Sequence, residues 1–132
     1  MSVEAPQPSI PKPGKVQAIG IMHLVSGILN LLWSVGYILN GLVVGIGTLG
    51  LGLICCCPVV LLIPTAILEI ISAIKHLKEP PEGLEPQPLV SYLEIACILC
   101  CNWITMTVGI VGLVFLQDEE VKAYYRAHGG NI

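Results

Sequence analysis

VQAIGIMHLVSGILNLLWSVGYILNGLVVGIGTLGLGLICCCPVVLLIPTAILEIISAI, residues 16–74, carries a single formal charge, Glu69. A second apolar run, LVSYLEIACILCCNWITMTVGIVGLVFL at 89–116, again carries one, Glu94. Runs of eighteen or more apolar residues read as membrane-crossing helices. The chain is therefore expected to be all-α, a polytopic transmembrane helical bundle with the lipid bilayer as its first partner. The expected location is the inner or plasma membrane, crossed several times.

Around these runs there is little else. Residues 1–15 form a polar tail with Pro6, Pro8, Pro11 and Pro13, an extended and mobile composition. The bundle occupies 16–116, with a proline-rich hinge KHLKEPPEGLEPQP whose centre is about 78–88, and 117–132 is a polar tail. Only 11% of residues are charged, against roughly 25% in soluble domains, which leaves no room for a separate soluble domain. The net charge of −3 contains no basic cluster, so nucleic-acid binding is not expected. The first apolar run greatly exceeds a secretory h-region of roughly 7–15 residues, so it reads as a retained anchor. No Gly follows Met1 and no CaaX box is present, so myristoyl and prenyl signals are not expected.

The runs divide in two ways. Three spans, at about 16–41, 52–77 and 89–116, leave a Gly-rich turn, VVGIGTLG, between the first two. Four spans need turns near Ser34–Gly36 and near Cys57–Pro58. Three helices of matching length favour the first division. The distribution of Lys and Arg between the two sides ties, so orientation stays open. DEEVKAYYRAH, from Asp118, reads as a short amphipathic helix, with acidic residues leading and basic residues following as the helix dipole prefers.

The polar residues inside the runs fall on helical faces. Gly20, His23, Gly27, Asn30, Ser34, Tyr37 and Gly41 recur at spacings of three and four. Thr65, Glu69, Ser72 and His76 repeat the pattern, as do Glu94, Cys97, Cys101, Thr105, Gly109 and Gly112. In lipid, small residues admit close helix packing and polar ones hydrogen-bond between helices, so the stripes should face one another. Along three spans, His23, Glu69 and Glu94 lie at similar depth, roughly 9–12 Å from one face at 1.5 Å per residue. Ionisable groups at such depth are functional candidates. Two carboxyl groups and an imidazole could share protons or hold a cation. The bland alternative is that they lock the bundle.

Six cysteines, Cys55, Cys56, Cys57, Cys97, Cys100 and Cys101, lie in or beside the apolar runs, where cysteine behaves as a small buried hydrophobe. Cys55, Cys56 and Cys57 are alternatively acylation sites. Their spacing offers no metal set, and no cofactor is expected. No Ser-His-Asp set, H-E-x-x-H or phosphate loop is visible, and the chain is expected not to be an enzyme.

KVQAIGIMHLVSGILNLL, PVVLLIPTAILEIISAIKHL and the run from Leu89 resemble the first three spans of the membrane-spanning four-domain family, to which the B-lymphocyte antigen belongs. LVFLQDEEVKAYY is similar to the end of the last helix in small uncharacterised bacterial multi-span proteins. The resemblance implies a compact bundle that oligomerises and works beside other membrane proteins. A large extracellular loop and a fourth span after Leu116 are missing, and no functional residues carry over. The leading expectation is a non-enzymatic accessory or structural subunit, forming a homo-oligomer or joining a larger membrane complex. The alternative is an oligomeric channel or proton/cation carrier using His23, Glu69 and Glu94.

Overall fold

A computed structural model describes residues 10–48, 50, 57–79, 84 and 87–128. The described residues are helical with no strand. Helix α1, Gly14–Gly47, is continuous over 34 residues, about 51 Å long. It passes through Ser34–Gly36 without interruption, so the turn required by four spans does not form. It also continues through most of the expected Gly-rich turn. No polar side chain competes for the backbone there, and the ladder ends only at Thr48, whose N–H and hydroxyl both donate to the Val44 carbonyl.

Helix α2, Cys57–Leu77, has 21 residues and spans about 32 Å. The expected first turns of this helix, about residues 52–56 with Cys55 and Cys56, lie outside the described residues. Pro64 removes one ladder donor within α2, and the neighbouring Thr65 hydroxyl donates to the Leu61 carbonyl at 2.8 Å. Helices α1 and α2 pack antiparallel, with Gly20 against His76 and Leu77 and Gly27 against Ala66 and Ile70. A Cβ at Gly27 would stand 2.8 Å from Ile70 Cγ1 and 3.1 Å from the Ala66 carbonyl oxygen, so only glycine admits this approach.

The third long helix, expected over about 89–116, is instead a hairpin of two short ones. Helix α3, Pro88–Ala96, tightens into a 3-10 turn at Cys97–Cys100. Cys101 then takes a left-handed conformation, φ 57°, and Asn102 opens helix α4, Trp103–Leu116, by accepting from Thr105 N–H. Helix α4 runs back along α3, placing Gly109 against Ser91 and Glu94 and Gly112 against Ser91. Each arm is about 20 Å long, too short to cross a bilayer core of roughly 30 Å. The physical reason for the break is Asn102. Within an unbroken helix its amide would be left among apolar side chains, whereas at the reversal it caps α4 and donates to Asn30.

Helix α5, Glu119–Ala127, closes the end at which α1 begins and α2 finishes. Val121, Tyr124 and Tyr125 are buried against Val16, Ile19 and Leu84, with Phe115 and Leu116 packed beside them. Lys15 bridges to Asp118, whose side chain caps α5 by accepting from Glu120 N–H. That hydrogen bond to Lys15 holds the Asp118 carboxyl below its ordinary range. Lys12 donates to the Leu77 and Lys78 carbonyls at the end of α2 and pairs with Glu79 at 3.2 Å. All six basic residues of the chain, Lys12, Lys15, Lys75, Lys78, Lys122 and Arg126, therefore stand at this one end.

Candidate functional site

Between α1, α2 and the hairpin lies a core of unusual composition. The buried set among the described residues holds twelve polar or ionisable residues and twelve apolar ones. The large apolar side chains point outward instead, as with Leu32, Val43, Ile46, Val60 and Leu99.

The inner end of this core is a satisfied amide network. Asn30 donates from Nδ2 to Glu69 Oε2 at 2.7 Å. Its Oδ1 accepts from Asn102 Nδ2 at 2.6 Å and from the Thr105 hydroxyl at 2.9 Å. Ser26 donates to Thr105 at 3.2 Å, and Ser34 returns its hydroxyl to the Asn30 carbonyl. One α1 residue thus holds both α2 and the tip of the hairpin. Tyr37 reinforces the tip by donating to the Cys100 carbonyl at 2.8 Å.

Nearer α5 the network is incomplete. His23 Nδ1 lies 2.9 Å from the Ser72 hydroxyl, while Nε2 stands 3.5 Å from Glu94 Oε1 without the geometry of a hydrogen bond. Glu69 and Glu94 neighbour each other, and both are fully buried. Among the described residues, five buried polar atoms have no hydrogen-bond partner: His23 Nε2, Glu69 Oε1, Ser91 Oγ and both carboxyl oxygens of Glu94. They share one region. A Cβ at Gly112 would lie 2.9 Å from Ser91 Oγ and 3.8 Å from His23 Nε2. Buried polar groups are nearly always paired, so five orphans on three ionisable side chains and a serine set this region apart from the satisfied network beside it.

The structure brings His23, Glu69 and Glu94 together, with Asn30, Ser72 and Thr105 around them. Gly20 and Gly27 line the α1–α2 contact, while Gly109 and Gly112 line the seam of the hairpin. Thr65 is buried on α2, and Ser34 is buried on α1. Cys97 and Cys100 are buried with Leu62 beneath Tyr37 and Leu61, as small hydrophobes would be. Cys101 departs from its expected place on the stripe: the reversal carries it to the exposed tip. Cys57 is exposed at the start of α2, and the four described cysteines are free thiols.

Ser26, Ser91 and Asn102 were not singled out by periodicity. Ser26 and Ser91 each sit three residues from a member of a stripe, on the same helical face, which was the available signal. For Asn102 the signal was an Asn followed by Thr105 at the spacing of a helix cap. Among the described residues, no group of three or more His, Cys, Asp or Glu side chains is placed to hold a metal ion. Compared with protein-family models, curated proteins and solved structures, the chain matches none.

Proposed function

We propose that this is a small, non-enzymatic integral membrane protein built from two spans and a re-entrant hairpin, and that its buried Glu69–Glu94–His23 cluster takes up and releases a proton. Its inverted distribution of side chains supports the membrane. Helices α1 and α2 are long and apolar enough to cross a bilayer, yet only 39% and 33% of their most apolar windows are buried, unlike core helices of a soluble fold. An outward surface of Leu, Ile and Val around a polar interior suits lipid, where no water satisfies polar groups. The six basic residues at one end favour that end as cytoplasmic.

The observation that carries the proton reading is the set of five unpartnered atoms on Glu69, Glu94, His23 and Ser91. Two adjoining carboxyl groups in a dry interior repel strongly if both are ionised, and no Lys or Arg lies beside them to compensate. A shared proton relieves that repulsion, and the pair then titrates as a unit. In liposomes holding the full chain, an imposed pH gradient is expected to drive proton movement that Glu69→Gln with Glu94→Gln abolishes. Equal movement with and without the two carboxyl groups would refute this reading.

A second reading, an oligomeric or accessory subunit, draws on a different surface. The glycines of the stripes are consumed inside the protomer, but Trp33, Gly36, Tyr37 and Asn40 line a groove of about 420 Å³ on the outer side of α1. A Cβ at Gly36 would meet nothing within 4 Å, so the side chain of Gly36→Leu starts from open space and projects into the groove. If copies associate there, Gly36→Leu reduces the native mass in mild detergent to that of a monomer. An unchanged native mass argues against this surface.

A further inference from the structure

Helix α5 does more than cover the end of the bundle. We propose that Tyr125, His76, Ser72 and His23 form a proton-conducting string that loads Glu94 from the α5 end, an inference that rests on the proton reading above. The atoms lie in sequence. Tyr125 Oη is 2.5 Å from His76 Nε2. His76 Nδ1 is 2.7 Å from the Ser72 carbonyl oxygen and 3.4 Å from the Ser72 hydroxyl. That hydroxyl is 2.9 Å from His23 Nδ1, and His23 Nε2 is 3.5 Å from Glu94 Oε1.

Donor and acceptor chemistry gives the string a direction. A carbonyl oxygen only accepts, so His76 Nδ1 carries its hydrogen and Nε2 accepts from the Tyr125 hydroxyl. With the Ser72 hydroxyl as donor to His23 Nδ1, the hydrogen of His23 stands on Nε2, facing Glu94. The two hydroxyl bonds then point inward, while the Nδ1 hydrogen of His76 rests on the Ser72 carbonyl. When a proton joins Tyr125 Oη, the hydroxyl hydrogen passes to His76 Nε2 and the Nδ1 hydrogen of His76 passes to Ser72 Oγ. The Ser72 hydrogen passes to His23 Nδ1, and the Nε2 hydrogen of His23 passes to the Glu94 carboxylate. Each intermediate group gains one proton and loses one, so the net change is one proton gained at Glu94. Both imidazoles finish with exchanged tautomers and must rotate or pass the charge back before the next transfer.

Two links are open: His76 Nδ1 gives its hydrogen to the Ser72 carbonyl and stands 3.4 Å from the hydroxyl, and His23 Nε2 stands 3.5 Å from Glu94 Oε1. Beyond the carboxyl pair stand the Asn30 and Asn102 amides together with the Thr105 and Ser26 hydroxyls. The string is therefore the route to the carboxyl pair from the α5 end. Its surroundings carry few other charges. His76 is flanked by Lys12 and Lys75, by the His23 ring at 5.9 Å and by the Tyr125 ring at 5.9 Å. Tyr124 adjoins Tyr125 and Glu79 on the outer side, and α4 contributes no ionisable group. Burial pushes the Tyr125 phenol up from its ordinary range, so it stays protonated and available as the outermost donor.

The test is time-resolved infrared spectroscopy of the purified full chain after a drop in pH, following the C=O band of protonated carboxyl groups. Native protein is expected to show a growing band that Glu69→Gln with Glu94→Gln removes. Tyr125→Phe keeps the ring and deletes the relay atom, and His76→Gln keeps a donor for the Ser72 carbonyl. Each is expected to leave the final band intact and slow its rise by on the order of a hundredfold, the usual worth of a positioned proton relay. Tyr124→Phe, which lies outside the string, is expected to leave the rate unchanged. An unaltered rate in both Tyr125→Phe and His76→Gln, with the carboxyl band present, overturns the string while the proton reading stands. No carboxyl band in the native protein overturns both.

Discussion

Reporter domains fused before residue 10 and after residue 128 are expected on the same side of the membrane. The expectation is all-or-none, because three full spans would separate them. It follows from the Cys97–Asn102 reversal, which returns α4 to the end where α1 begins, and from the Lys15–Asp118 pair and the burial of Tyr125, which hold α5 there. Both reporters should face the cytoplasm, since every Lys and Arg of the chain stands at that end. A thiol reagent that does not cross membranes should reach Cys57 only from the opposite side. Reporters found on opposite sides would require α3 and α4 to form one crossing and would remove the geometry of the site with it.

The second large effect is expected at the seam of the hairpin. A Cβ at Gly109 would stand 2.6 Å from the Ser91 carbonyl oxygen and 2.8 Å from Glu94 Cβ, so backbone must move to admit it. Overpacking of this kind costs about 1–3 kcal/mol for a small addition. Gly109→Ala should therefore lower the unfolding midpoint in mild detergent, and Gly109→Leu should separate the arms outright. Because Glu94 and Ser91 lie on the displaced arm, the carboxyl pair should come apart together with the seam. Gly47→Leu is the matched control, since a Cβ there would meet nothing within 4 Å on the same kind of apolar helix. Helix propensity favours both replacements, so equal losses at the two positions would mean that added bulk in general, rather than close packing of the arms, sets the cost.

These expectations show where periodicity stops being informative. A stripe at spacings of three and four records which side of a helix turns inward. It does not record whether the chain continues or reverses, because both arms of a hairpin present small and polar residues to the same interior. Glu94, Cys97, Cys101, Thr105, Gly109 and Gly112 thus read as one face of one helix, although Gly109 lies back against Glu94. Length was a usable warning. A helix over 89–116 would be about 42 Å long, well beyond the roughly 32 Å of α2. Asn102 was a second warning, as a cap residue placed inside an apolar run.

By itself, the sequence determined that the chain is helical, that its apolar residues outnumber what an interior of this size can bury, and that its few polar residues lie on common helical faces. Those properties follow from composition and from the 3.6-residue period, which are local. Only the tertiary structure decided that the last run folds back on itself, that Asn30 ties three elements together, and that Tyr125 and His76 stand in line with His23 and the carboxyl pair. Those outcomes depend on satisfying particular donors and acceptors between distant segments, and the partner of Asn102 is 72 residues away along the chain.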